Sequence, residues 1–380
     1  MKIAFDGGLL LKKDKAGIAW SAHNLILELL QYPENKCTIR CFRSRAVKRL
    51  EEYRLAGCRI EYCRWFGGSL YKLLWAVVPV PYSLFFRRDA DILQFFNFTI
   101  PPGARGKRAV FIHDMAYKSC PDTVRKKTKL WLELCMKKTC TRADCILTVS
   151  EFSKQEIVRY LSIPEECIRV VPNAVDHAAY HPGYSKSQIQ KALDRYGITR
   201  EYFLYLGTIE PRKNLERLIA AYVKLCSRRQ EAPLLVIAGK KGWLCDHIYQ
   251  AAAQSGREKD ILFIGYVREK DSPLLMCGAK AFVFPSLYEG FGMPPLEAMA
   301  CGTPAITSNT TALAEVAKGA GIMVDPLCIE KICEAMERIL DDDAYREALR
   351  EAGKQRAAEY TWARSAHLLM NVYRTMMKRQ

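Results

Sequence analysis

At 380 residues the chain is too long for one ordinary hydrophobic core, which implies about two domains of roughly 150 to 200 residues, and its 49% hydrophobic content excludes an intrinsically disordered chain. The formal charge of +17 is concentrated in the first half, where residues 1–189 hold 31 Lys+Arg against 18 Asp+Glu; such a field suits a polyanion, an anionic membrane face or a phosphorylated substrate. Fifteen cysteines without a C-x-x-C pair read as reduced thiols of a cytoplasmic protein, not as a disulfide framework or a zinc site.

Short apolar runs alternate with longer segments of helical period, the pattern of a parallel sheet covered by helices on both faces. The opening MKIAFDGGLL is a strand followed by Gly-Gly, too short and too soon acidic for a signal peptide. A helix over Ile18–Gln31 follows, and further strands are expected at 37–42, 58–62, 91–95, 108–112, 145–149 and 168–171. The most apolar stretch, Ser69–Phe86, contains Lys72, Pro79 and Pro81 and is a poor membrane span; it reads as a buried or interfacial helix that breaks at Pro79. Trp75, Phe85 and Phe86, beside Arg87 and Arg88, are its candidates for touching a bilayer surface.

Over Pro172–Arg200, Asn, Asp, His, Pro and Gly gather, which places the domain linker there. A second strand series follows near 202–206, 233–238, 261–264, 281–284 and 304–307, each strand trailed by a helical pattern. The expected fold class is therefore α/β, with two Rossmann-like doubly wound domains at 1–185 and 198–361 and a last helix over about 362–380 that is a candidate to pack back on the first domain. No G-x-G-x-x-G follows any strand, which disfavours a nicotinamide dehydrogenase.

The segment EGFGMPPLEAMACG, residues 289–302, follows a run with the composition of a buried strand, and ligands of open α/β sheets bind beyond the carboxyl ends of strands. Gly290 and Gly292 permit close backbone approach, Pro294 suits a first helical turn, and the helix start around Met293 offers N–H groups to a phosphate. Glu297, one turn into that helix, is placed to accept from a ribose diol, and Glu289 to face hydroxyls at the other end of a sugar nucleotide. Counter-charge for the diphosphate is available from Arg212 and Lys213 in GTIEPRKN, which begins at Gly207: a planar fork and a point charge.

These motifs, together with AGKKGW at 238–243 and VPNAVD at 171–176, resemble the retaining glycosyltransferases of the GT-B fold, in particular a large bacterial mannosyltransferase-like group, also called glycosyl transferases group 1. The resemblance covers almost the whole chain. It implies two Rossmann-like domains facing across a cleft, an N-terminal domain for the acceptor and a C-terminal one for the nucleotide-sugar donor. It further implies a sugar contact by Glu289, a ribose contact by Glu297 and diphosphate binding by Arg212 and Lys213, although many relatives have Gly-Arg where this chain has Gly207-Thr208. By the same resemblance His113, in AVFIHDMAY, lies against the donor sugar beside Asp114. Gly17, in the Gly7–Gly17 loop, and Gly207, Gly239, Gly290, Phe291, Gly292 and Met293 line the donor site, and the base rests near Gly265, Tyr266 and Val267.

The implied reaction is transfer of a hexose, mannose from GDP-mannose being favoured, to a cell-surface glycan or lipid-linked acceptor, with no cofactor and no metal. Asp89-Ala-Asp91 and Asp341–Asp343 read as element boundaries, not magnesium ligands. Two alternatives stay open: a catalytically silent relative, and a partner subunit peripheral to an anionic membrane at its cytoplasmic face. A glycosidase carboxylate pair would leave the basic loop without purpose, and no nucleic-acid motif accompanies the positive charge.

Overall fold

The computed structural model describes residues 1–12 and 17–378. Two compact units emerge, one formed by 1–119, 126–174 and 362–380, the other by 120–125 and 175–361. The first unit holds a wholly parallel seven-stranded sheet of β1 (Lys2–Asp6), β2 (Lys36–Arg43), β3 (Arg59–Gly67), β4 (Ile92–Phe95), β5 (Lys107–Phe111), β6 (Cys145–Thr148) and β7 (Ile168–Val170), in the order β3-β2-β1-β4-β5-β6-β7. The second holds β8 (Tyr202–Leu206), β9 (Leu234–Ala238), β10 (Ile261–Gly265), β11 (Ala281–Phe284), β12 (Ala305–Ser308) and β13 (Ile322–Val324), in the order β10-β9-β8-β11-β12-β13. Every residue of β9 and of β11 is buried, as continuous apolar runs require when helices cover both faces of a sheet.

Each order reverses once, between β1 and β4 in the first sheet and between β8 and β11 in the second. A crevice forms at such a reversal because the connections on either side leave in opposite directions. In the second sheet the loops after β8 and β11 leave from this reversal.

The structural division falls at 174/175, inside the Pro172–Arg200 stretch. Val175 pairs with Thr361 and its N–H donates to the Tyr360 carbonyl at 3.3 Å, so both crossings of the chain are tied together inside the second unit. Residues 120–125 also belong to that unit. There Trp243 Nε1 donates to the Thr123 carbonyl at 2.7 Å, and the Arg125 guanidinium lies 4.8 Å from the indole centroid.

Helix Trp362–Lys378 belongs to the first unit, where it packs on helix Gly17–Leu30. Leu369, Met370 and Tyr373 are buried in it. The Ser365 hydroxyl donates to the Pro172 carbonyl at 2.7 Å, and that of Tyr373 donates to Gln94 Oε1 at 2.8 Å.

The apolar stretch after β3 requires a correction. Trp75 and Phe86 are buried and Phe85 is half-buried; Phe42 stacks on Tyr71 with centroids 4.7 Å apart, and Tyr82 packs against Phe86 at 4.7 Å. These rings close the first unit's core over β2, so Trp75 and Phe86 are not available to a bilayer. The helix spans Gly68–Val77 and ends before Pro79.

Gln94 is fully buried, and removing its partner leaves an amide oxygen without a donor. Tyr373→Phe is therefore expected to cost about 1–3 kcal/mol, read as a lowered melting temperature. Adding Gln94→Leu, which removes the orphaned amide, is expected to restore part of the loss.

Candidate functional site

The loop after β8 and the loop after β11 are joined through the backbone. Leu287 N–H donates to the Arg212 carbonyl at 2.9 Å. Asn214, in the left-handed conformation with φ 61°, sends its amide to the carbonyls of Pro285 at 2.9 Å and Pro326 at 2.7 Å; asparagine tolerates this backbone better than most side chains. Arg212 and Lys213 are thereby held at the sheet's reversal point.

There they meet a carboxylate. Lys213 Nζ donates to Glu289 Oε1 at 2.5 Å, and Arg212 Nη1 donates to Glu289 Oε2 at 3.0 Å and to the Tyr288 carbonyl at 2.5 Å. The other end of the guanidinium donates to Glu210 Oε1 at 2.8 Å. Lys213 and Glu210 are 8% and 3% exposed, so these are nearly dehydrated charges that must be paired.

Burial by itself raises the Glu289 carboxyl, but the charges of Arg212 and Lys213 outweigh it and hold the group at about 2. Burial and the neighbouring Arg212 lower the Lys213 ammonium, opposed by Glu289 and Glu210. Glu289 is thus the counter-ion of the same two cations that are expected to meet a diphosphate. Sequence reasoning passed over Glu210, although it lies inside the quoted GTIEPRKN.

Gly292, with φ 115°, precedes helix Met293–Ala300; a Cβ there would sit 2.7 Å from Leu313 Cδ2. Pro294 and Pro295 have no N–H, which reduces the donors of the helix start. What remains is the N–H of Gly292 and of Met293, and neither donates to a protein group among the described residues. Phe291 is buried, edge-on to Tyr360 at 5.7 Å.

Glu297 lies one turn into this helix, and among the described residues its carboxylate accepts no hydrogen bond. Burial first, and the negative charge of Asp176 second, raise it to about 7. The two glutamates of one motif are thus tuned in opposite directions, one lowered by two cations and the other raised by burial and by Asp176.

A second residue the sequence did not disclose is Thr311. It has φ 61°, an unfavourable backbone for a β-branched side chain, and its buried hydroxyl has no hydrogen-bond partner among the described residues. The next N–H, of Ala312, donates to the Glu289 carbonyl at 3.4 Å.

Gly239 proves to be a packing requirement: a Cβ there would lie 1.7 Å from the Gly207 carbonyl oxygen, so this pair of glycines lets the loops after β8 and β9 touch. Beyond β10, Tyr266 is half exposed with the Lys240 ammonium 4.5 Å from its ring centroid, while Val267 is buried.

In the first unit His113 is buried and its Nε2–H donates to the Phe96 carbonyl at 2.8 Å. Burial lowers its pKa against the opposing hydrogen bond and the charge of Asp114. The Asp114 carboxylate itself accepts from Ala116 N–H at 3.0 Å.

Beside β1 and β4 lies a cavity of about 370 Å³ whose walls include Asp6, Phe42, Tyr71, Lys72 and Asn97. Burial raises the Asp6 carboxyl despite the Lys72 charge and the Gly8 N–H. Gly17 opens its helix; of the Gly7–Gly17 loop, residues 13–16 lie outside the described residues. Asp89 pairs with Arg40 at 3.1 Å, Asp91 accepts from Lys2 N–H at 2.8 Å, and Asp342 accepts from Tyr345 N–H at 2.8 Å, each at an element boundary.

Two family models match the chain: Glycosyltransferase Family 4 over residues 16–179 and Glycosyl transferases group 1 over residues 189–356. An O-antigen chain mannosyltransferase B of Escherichia coli is 35% identical over 282 residues, covering 74% of this chain and 73% of that protein. The chain belongs to the glycosyl transferases group 1. This glycosyltransferase is also 35% identical over 239 residues to the serotype-specific mannosyltransferase WbdA of Escherichia coli, which covers 62% of the chain but only 29% of that longer protein. Among solved structures, Anabaena HepE in complex with UDP and glucose superposes with a TM-score of 0.73 at 18% identity, covering 99% of this chain and 100% of that one. The glycosyltransferase therefore has the GT-B fold, with a parallel-sheet Rossmann-like domain in each unit.

The raised carboxyl of Glu297 has a pH signature. Its folded value of about 7 exceeds the ordinary 4.5, so it contributes stability below pH 4.5 that is lost as pH rises through 7, about 3 kcal/mol in all. Calorimetric melting between pH 5 and 8 is expected to show this decline in wild type, and a flatter profile in Glu297→Gln, which keeps the neutral form throughout.

Proposed function

We infer that this glycosyltransferase moves mannose from GDP-mannose, with retention at the anomeric carbon, to a hydroxyl of a growing cell-surface glycan carried on a lipid. The observation that carries the donor class is the pair of cations Arg212 and Lys213, held on Glu289 at the reversal point of the second sheet, with the N–H groups of Gly292 and Met293 three and four residues beyond that carboxylate at a helix start. Two cations and two backbone donors suit a diphosphate, and Glu297 suits a ribose diol. The choice of mannose is supported by the 35% identity to two mannosyltransferases.

On this reading the diphosphate takes over the hydrogen bonds that Arg212 and Lys213 make to Glu289, and the released carboxylate accepts from sugar hydroxyls. As the bond from the anomeric carbon to the diphosphate lengthens, charge grows on the departing oxygen. The cations and N–H groups stabilise it, each such contact contributing about 3 kcal/mol. The acceptor hydroxyl attacks the same face, and its proton passes to the departing phosphate oxygen. Arg212 and Lys213 do the neutralising that a divalent cation does elsewhere, so activity is expected to survive EDTA. The acceptor is assigned to the cavity beside Asp6, whose aromatic walls suit sugar faces and whose carboxyl suits a hydroxyl. His113 keeps the sugar-contact role that the family resemblance implies.

Thermal-shift measurements with GDP, UDP and dTDP in EDTA test the donor. GDP is expected to raise the melting temperature of wild type and to lose most of that effect in Lys213→Ala and Glu297→Ala; a protein that responds to none of the three nucleotides would overturn the assignment. In kinetic assays Lys213→Ala is expected to lower kcat by roughly 10²–10³, whereas Asp6→Asn is expected to act on the acceptor KM or on kcat and leave GDP binding unchanged.

Binding should also move protons. A diol that donates to Glu297 favours the carboxylate, so GDP binding near pH 6.5 is expected to release a proton. Titration calorimetry in buffers of different ionisation enthalpy would detect it in wild type, and Glu297→Gln should abolish it.

A further inference from the structure

Strand β3 is the edge of the first sheet, and it leaves the register of β2 near its carboxyl end. Phe42 pairs with Cys63, but the next residue of β2, Arg43, pairs with Gly67, so Arg64, Trp65 and Phe66 form a bulge. A bulge re-aims the side chains it carries. Here Phe66 packs on Phe85 with ring centroids 5.2 Å apart, whereas Trp65 turns outward and is 89% exposed. Both ends of the bulge are tied down: Ser44 N–H donates to the Tyr62 hydroxyl at 3.0 Å, and the Arg43–Gly67 pairing closes it on the other side. The bulge also adjoins the cavity assigned to the acceptor. Arg43, Gly68 and Ser69 are part of that cavity's wall, and Trp65 stands outside it, between the residues that build it.

On the helix that follows, Leu70 and Leu73 are exposed as well, and surface leucines need no explanation. An indole held out on a tethered bulge is different, because it offers a large, rigid contact area that loses little conformational freedom when covered. Its neighbours decide what covers it. Arg64, Arg43 and Ser69 are all exposed, a polar surround that suits a partner with an apolar face and a hydroxyl rim. A sugar ring has that form: its C–H face covers the indole, and its hydroxyl oxygens accept from guanidinium N–H groups. The acceptor reading supplies such a partner. Only the terminal sugar of a growing glycan receives the transferred residue, so the sugars behind it must lie outside the cavity.

We propose that Trp65 is an outer glycan-binding platform: a sugar of the acceptor chain behind the one that receives the transfer stacks on its indole, while Arg43 and Arg64 donate to that sugar's hydroxyls. The proposal rests on the reading of the neighbouring cavity as the acceptor site and gives that site a second point of recognition. Acceptors long enough to reach Trp65 are then held more tightly than short ones, so the enzyme reads chain length as well as the terminal sugar.

Mannose and α-linked manno-oligosaccharides of increasing length, titrated into the full chain, test it. Affinity measured by calorimetry is expected to rise with length in wild type, and Trp65→Ala is expected to weaken binding of the longer oligosaccharides roughly tenfold, with Trp65→Phe recovering part of the loss. The emission of wild type minus that of Trp65→Phe isolates the Trp65 signal, which is expected to shift to the blue and to resist acrylamide quenching when a long oligosaccharide binds. In transfer assays the Trp65→Ala defect is expected to fall on acceptor KM and to grow with acceptor length. Leu55→Ser, at an exposed leucine shortly before the opposite end of β3, should change nothing, and unchanged melting temperatures verify that each variant is folded. Among the described residues no helix is long and apolar enough to cross a membrane, so phosphatidylcholine vesicles probe the remaining surface role. Affinity indifferent to length, oligosaccharide binding unaltered in Trp65→Ala, or a Trp65 signal that answers vesicles and no oligosaccharide would each overturn the proposal. Binding that depends on length and on Trp65, in a protein that transfers sugar to none of these acceptors, would leave the platform standing while the proposed activity falls.

Discussion

The second unit is organised around one electrostatic constraint: two cations taken out of water at the end of β8 must be matched by carboxylates. Removing one partner from such a buried set costs about 3–5 kcal/mol, because the remaining charge is stranded. The strand order answers this constraint by making β8 and β11 neighbours, so that residues about 76 positions apart in sequence become partners, as Lys213 and Glu289 do. Asn214, with its left-handed backbone and its two carbonyl contacts, fixes the distance between the loops. Glu210 balances the second cation, so the four side chains sum to no net charge.

Neutrality at rest changes how a charged ligand is received. For the proposed donor, binding is an exchange of partners within a cluster already desolvated and already aligned, and little orientational freedom remains to be lost when charge develops. A loop of unpaired cations would attract a diphosphate more strongly from a distance, but it would first have to survive unliganded inside the fold. Glu297 is tuned the opposite way: burial first and the negative charge of Asp176 second raise it, so it holds its proton more tightly than Glu289.

Much of this was legible in the sequence where an apolar run was continuous. Strands β1 to β12 are foreshadowed by short apolar-rich runs between turn residues, whereas β13, three residues long with Met323 exposed, was not expected. The motif glutamates and the basic loop were legible because residue type and spacing both pointed to them. Their pairing was not, since spacing along the chain does not say which loop ends adjoin which. Thr311 hid for another reason, its only mark being a backbone angle that a threonine in a sequence gives no hint of. The stretch from Ser69 to Phe86 shows the limit of hydrophobicity alone: it distinguishes apolar from polar residues, but not which rings enter the core and which leucines remain outside.

The return of helix Trp362–Lys378 to the first unit makes the order of synthesis differ from the order of folding. A ribosome delivers residues 1–174 long before the helix that packs against Gly17–Leu30 exists, whereas the sheet of the second unit is complete once β13 has emerged. Domains fold as units during translation, so the first unit must wait, with the surface under Leu369 and Tyr373 open, until the other has passed. A lesion late in the reading frame would then be felt in the half of the protein that was translated first.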